Sequence, residues 1–401
     1  MKKNAYTLNY WYGSNYGATL TSYALYKLLE QLGLNPSLVN NMNDIEEAVQ
    51  NKMFSQKFLK NFNIIKNINS YRNLKAINNP QSLFLTGSDQ VFRPYLTGKK
   101  LDQFLLDFVD ETSLKIAISA SFGVDKEQFL KETSREIIAK MKKSFESFDV
   151  ISVREKSGVE ICKDLFGVNA ELIIDPVFIF DKQNYINIAN KSKKDYSNTI
   201  ATYIFSKDKQ YKNVYKNFEK RYNAKVIELA FKNIALEDWL SAILNSKLVI
   251  TDSFHGICFC LIFNKPFICP ANGMTAYTRF DSLFKMLNIQ NQTVSVNDIL
   301  KKNCIFKIDY EKLNQRIEEE RRHGLEFLQK VINMPYGKLE KKLAVRTKYL
   351  EDRVSELESQ ANLKYQIKKE LWNLWLIIWH KYLPEPVKTV VRLMRDKYVR
   401  K

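Results

Sequence analysis

Three histidines occur among the 401 residues, and His255 stands in a turn after the apolar run Leu248-Val249-Ile250-Thr251. Histidine has an unperturbed pKa of about 6.5, so a positioned His255 can deliver or take up a proton near neutral pH. Ser253 and Gly256 flank it, and the apolar stretch 257–263 follows at once. A buried strand, a polar turn and a helix start in succession bring free backbone N–H groups and a helix dipole to one point, which favours anions. Asp89, in Gly87-Ser88-Asp89-Gln90, follows a second apolar run, Leu83-Phe84-Leu85. Its carboxylate is a candidate general base, although Ser-Asp at a turn is equally an ordinary helix cap. Arg154 follows a third run, 150–153, where a guanidinium can grip an oxyanion bidentately or pair with a carboxylate. Arg279 begins a later helical segment and is the candidate for a second anion clamp.

Apolar runs that end in such turns are the strands of a parallel α/β sheet, whose ligands bind at the strand ends. The pattern predicts strands at 6–10, 36–40, 83–85, 115–119, 150–153 and 172–174. It predicts helices at 18–32 and 127–145. A polar stretch at 189–198 precedes a second α/β series, with strands at 199–205, 224–228, 248–251 and 265–269 and helices at 211–221, 236–246, 279–287 and 310–332. The expectation is two Rossmann-like doubly wound domains, 1–190 and 191–334, facing a cleft, with a helical tail at 335–401.

Composition narrows the partners. Lys and Arg outnumber Asp and Glu by 62 to 44, and such an excess implies an anionic partner. Residues 361–401 carry ten Lys and Arg against three acidic residues, so part of the excess is a local device and a nucleic-acid groove is not expected. Leu343, Leu350 and Leu357 recur at heptad spacing with Thr347, Val354 and Ala361 between them, a short seam through which 339–361 could join two copies. Trp372, Trp375 and Trp379 punctuate an apolar block too short for the ~20 residues of a membrane span. Together with the basic amphipathic stretch after Pro386 it reads as a segment, 371–401, that lies on an anionic membrane. Five cysteines form no CxxC pair and the start has no secretory apolar region, so the expectation is a cytoplasmic protein on the inner face of the cell membrane, with no metal site and no cofactor.

Seven motifs occur in order: Asn15-Tyr16-Gly17-Ala18, Gly87-Ser88-Asp89-Gln90-Val91-Phe92, Ala120-Ser121-Phe122-Gly123, Ser152-Val153-Arg154-Glu155-Lys156-Ser157-Gly158, Asp175-Pro176, Thr251-Asp252-Ser253-Phe254-His255-Gly256 and Asn264-Lys265-Pro266-Phe267. As a set, over 5–332, they resemble the polysaccharide pyruvyl transferase family. The resemblance implies a glycosyltransferase-B-like fold and transfer of a pyruvyl group from phosphoenolpyruvate, as co-substrate, to a sugar of a polysaccharide precursor as a ketal, and the membrane-directed tail adds the expectation that this precursor is lipid-linked. His255 corresponds to the family's motif histidine, the general acid or phosphate-stabilising residue. Arg154, Arg279, Ser253 and Gly256 would bind the donor, Asp89 would serve as base, and Asn15, Tyr16, Gly17, Ser88 and Gln90 would shape the acceptor side. Ser253 stands where part of the family has an arginine, which leaves Arg279 to supply that charge. Asp175-Pro176 reads as structural. Two other readings compete: a nucleotide-sugar-dependent glycosyltransferase on the same architecture, and a non-catalytic glycan-binding scaffold.

Overall fold

The computed structural model describes residues 3–13, 15–40, 53–65, 71–78, 82–110, 113–206, 208–270, 277–290, 292–301 and 307–334, with Leu371 and Leu374. Met1–Tyr336 form one compact unit and Gly337–Lys401 another. Leu371 and Leu374 are helical. The heptad seam and the rest of the basic segment lie outside the described residues.

The first sheet holds β1 (Asn4–Leu8), β2 (Asn35–Val39), β3 (Ile64–Ile65), β4 (Leu83–Thr86), β5 (Leu114–Ala120), β6 (Val150–Val153) and β7 (Glu171–Leu172). Their spatial order is β3-β2-β1-β4-β5-β6-β7, all parallel. The second holds β8 (Thr199–Tyr203), β9 (Lys225–Glu228), β10 (Leu248–Thr251), β11 (Phe267–Pro270) and β12 (Thr293–Val294). These run β12-β11-β10-β8-β9, again all parallel. Two doubly wound α/β sheets are therefore present, as the strand-turn-helix rhythm implies. β4, β5 and β10 are buried along their whole length, as strands covered by helices on both faces must be. The two-residue strands β3 and β12 are additions to the sequence reading. The helix predicted at 127–145 is two, Lys126–Glu132 and Arg135–Glu146, because the Ser134 side chain accepts from Ile137 N and starts a new helix.

Strand order reverses between β1 and β4 in the first sheet and between β8 and β10 in the second. At such switch points the helices diverge and leave a crevice outside the carboxyl ends. The Asp89 turn follows β4 and the His255 turn follows β10, so both fall at these points. One hydrophobic cluster runs through both halves, joining Leu20, Leu28, Leu85 and Ile116 to Trp239, Val249, Ile257 and Phe259. The long helix Tyr310–Ile332 adds Leu328 and Val331 to it. That helix also packs on the short helix Pro176–Ile179, where a Cβ on Gly324 would lie 2.5 Å from Ile179 Cδ1.

Candidate active site

Asp175 sits at the centre of the polar residues brought together between the sheets. It follows β7 and caps the helix Pro176–Ile179, its carboxylate accepting from Val177 N at 3.2 Å. The same carboxylate accepts from Arg154 Nη1 at 2.7 Å, Ser88 Oγ at 2.9 Å and Thr21 Oγ1 at 3.4 Å. Burial works against its charge, but the His255 and Arg154 contacts outweigh burial and hold the carboxyl well below the usual range. Arg154, 3% exposed, also donates to Ser88 O at 2.6 Å and, through Nη2, to Asp89 at 3.2 Å. Burial opposes the Arg154 cation, and the Asp89, Asp175 and Glu155 carboxylates overcome it and keep the cation charged. Glu155 is itself spent on the backbone, accepting from Phe122 N and Gly123 N at 2.7 and 3.1 Å.

His255 lies in the first turn of the helix Phe254–Ile262, capped by Ser253, whose Oγ accepts from Gly256 N. Its Nε2 is 2.9 Å from Thr21 Oγ1 and 3.5 Å from Asp175 Oδ2. The proton of the Thr21–His255 bond comes from the hydroxyl or from the ring according to the imidazole's tautomer. Nδ1 has no hydrogen-bond partner among the described residues. Close approach of the helix Tyr16–Gln31 makes this packing possible: a Cβ on Gly17 would lie 2.3 Å from His255 Cγ and Nδ1.

Arg279 differs from Arg154. No carboxylate pairs with it among the described residues, whereas both arginines leave Nε buried without a hydrogen-bond partner. Burial first, and repulsion from Arg154 second, bring its pKa down to about 10. Both guanidinium groups lie over the Phe254 ring, at 4.4 Å for Arg154 and 5.7 Å for Arg279, which places a cation–π surface beside the His255 helix start.

The structure thus brings His255, Arg154, Asp89, Ser88 and Gly17 into one neighbourhood, with Arg279 joined to it through Phe254. His255 meets Arg154 through Asp175, not directly. The bidentate grip expected of Arg154 is taken up inside the protein. Ser253 serves as a helix cap, and Gly256 is required by Thr251, whose Oγ1 a Cβ would approach to 2.3 Å. Asn15 is exposed and caps the helix Tyr16–Gln31 by accepting from Ala18 N. Tyr16 is 0% exposed, stacked between Phe54 and Trp239, with its hydroxyl donating to Lys232 O and accepting from Ile234 N. That ring joins the two halves and has no surface left for an acceptor. Gln90 accepts from Arg93 Nη1 at 3.1 Å. Sequence reasoning missed Asp175 and Thr21. Asp175-Pro176 was visible as a motif, whereas Thr21 lies on a helix with nothing to mark it. Among the described residues no cluster of three or more His, Cys, Asp or Glu could hold a metal ion.

The sequence model of the family described as "Polysaccharide pyruvyl transferase" matches residues 15–273. No curated protein matches the chain. Among solved structures, UDP-N-acetylglucosamine 2-epimerase from Rickettsia bellii is similar over 83% of this chain and 98% of its own, at 10% identity and a TM-score of 0.50. UDP-GlcNAc 2-epimerase from Neisseria meningitidis, bound to UDP-GlcNAc, covers 88% of this chain and 100% of its own at 11% identity, with a TM-score of 0.47. The first likeness is one of fold, the glycosyltransferase-B-like pairing of two doubly wound sheets.

Proposed function

We propose that this chain, which belongs to the polysaccharide pyruvyl transferase family, moves the pyruvyl unit of phosphoenolpyruvate onto two hydroxyls of one sugar in a cell-surface polysaccharide precursor. The family makes it a transferase acting on a polysaccharide; the donor, the ketal product and a lipid-linked acceptor are our reading. The observation that carries it is Arg279, a half-buried cation paired with no carboxylate among the described residues, beside the capped start of the His255 helix. A donor bearing a phosphate and a carboxylate supplies the missing anion.

In this reading His255, protonated, delivers a proton from Nδ1 to the methylene carbon of the donor, and the C=C bond becomes a methyl group on an electron-poor C2. Asp175 Oδ2 lies 3.5 Å from Nε2 and holds the ring in orientation, with Nδ1 turned away from it. A sugar hydroxyl adds to C2 and loses its proton to Asp89. Of the three carboxylates around Arg154, Asp89 alone retains exposed side-chain surface. The C2–O bond to phosphate then breaks, phosphate leaves toward Arg279 carrying the electron pair, and the second hydroxyl closes the ketal. Of the two hydroxyl protons, one replaces that given by His255 and the other leaves with phosphate. Phosphoenolpyruvate is a co-substrate, so the reaction calls on no resident cofactor.

Incubation with phosphoenolpyruvate and lipid-linked sugars should release phosphate in step with a product heavier by pyruvic acid less water. Arg279→Met should raise the KM for phosphoenolpyruvate by more than about tenfold, a charge-assisted contact's worth. Absence of turnover with every glycan acceptor would sink the reading, and stabilisation by nucleotide sugars instead would favour a glycosyltransferase.

A further inference from the structure

Phe205 and Phe231 are two large aromatic side chains left in solvent, 40% and 69% exposed, and they touch each other. Their rings meet edge to face, with centroids 5.4 Å apart. Phe205 lies just past the carboxyl end of β8 and Phe231 just past that of β9, which pairs with β8 in parallel. They therefore lie on the β8 side of the β8–β10 switch point, Phe205 one strand and Phe231 two strands from the turn that carries His255.

Two independent observations separate this pair from ordinary exposed surface. First, Phe231 adopts a φ of 57°, a left-handed conformation that a bulky side chain accepts only at a cost. Second, both loops are tied down from below. The Asp252 carboxylate accepts from Phe205 N at 2.8 Å and from Ser206 N at 2.9 Å. Tyr16 holds the segment just after Phe231, through Lys232 O and through both backbone groups of Ile234. Asn233 adds a bond from Phe54 N. The rings continue inward as a stack of edges, Phe205 to Tyr203 at 4.9 Å and Tyr203 to Tyr16 at 6.1 Å. Strain and anchoring spent on holding two rings in water describe a prepared contact surface.

We infer that Phe205 and Phe231 form a platform that takes the C–H face of a pyranose ring of the acceptor glycan. A pyranose has one face lined by C–H bonds and a rim of hydroxyls. Two exposed aromatic rings, each followed in the chain by a polar residue, Ser206 and Lys232, suit that division of apolar face and polar rim. The platform lies in the second half, whereas the sequence motifs put acceptor residues only in the first. This inference rests on the acceptor being a sugar, as proposed above, and not on the identity of the donor.

The test is binding without phosphoenolpyruvate. Methyl glycosides of galactose, glucose, mannose and N-acetylglucosamine are titrated against the full chain and followed by saturation-transfer NMR. At least one should bind, with transfer concentrated on the ring protons of one face. Phe231→Ala should weaken it by about fivefold to tenfold, the scale of one aromatic contact, and Phe231→Trp should restore it. Because Phe231 is mostly exposed, the variants should keep the wild-type unfolding temperature, which is measured alongside. Failure of every glycoside to bind, equal binding to wild type and Phe231→Ala, or displacement by uridine would each overturn the platform. Glycoside binding without phosphoenolpyruvate turnover would leave the platform standing and defeat the proposed reaction. Turnover with an unchanged acceptor KM in Phe231→Ala would do the reverse.

Discussion

Replacing Asp175 by Asn keeps the outline of the side chain and removes the charge that balances Arg154 at 2.7 Å. Breaking a buried pair by deleting one partner costs roughly 3–5 kcal/mol, because the remaining charge stays desolvated. Asp89 still contacts Arg154, so the lower end of that range is expected in urea unfolding. The sign with pH follows from the depressed carboxyl. Stability from Asp175 is full above the ordinary carboxylate pKa of about 3.9 and is lost as pH falls through its lower folded value. The gap between wild type and Asp175→Asn should accordingly be flat from neutral pH to about pH 5 and close below about pH 4. This residue also marks the limit of reading a site from sequence. His255, Asp89 and Arg154 are legible because each follows an apolar strand, where parallel sheets gather their chemistry. Asp-Pro after a strand reads first as a helix start, which it is, and its second duty depends on four segments, those of Thr21, Ser88, Arg154 and His255, that only the fold brings to it.

Gly17 and His255 lie on helices from different halves of the chain, and their contact fixes how closely those helices approach. Gly17→Ala should push the imidazole out of line with Thr21 and Asp175. A displacement of that kind costs on the order of 10²-fold in kcat, with overpacking of about 1–3 kcal/mol. Steady-state kinetics beside thermal unfolding would check it, and a change in KM alone would argue against the placement. Gly17 stood in the sequence as part of an acceptor motif; its reason is steric and comes from 238 residues away in the chain. At the same scale the long buried strands were legible, since β-branched runs such as Leu248–Thr251 have few other uses. β3 and β12, at two residues each, are too short to show a period. The break at Ser134 was hidden because the apolar spacing continues across it.

The tail is a matter for the whole molecule. Met1–Tyr336 form a compact unit, and no helix among the described residues is long and apolar enough to cross a membrane. Removing 337–401 should leave an unfolding midpoint close to that of the full chain. It should also abolish sedimentation with anionic vesicles at about 0.1 M salt, where surface charge still acts over ~10 Å. Equal sedimentation of both forms would end the membrane reading. The order of the two sheets was legible from the rhythm of strands and turns, but their common interior was not, since an apolar residue carries no mark of which sheet it will face. That interior sets the mechanics of the enzyme. Paired α/β domains joined by a polar interface swing about a hinge and close on their substrates. Here Leu20, Ile116, Trp239 and Phe259 belong to one continuous apolar cluster, and opening a jaw between the halves would wet it. Substrates should therefore enter and leave by small movements of strand-end loops over a body of constant size.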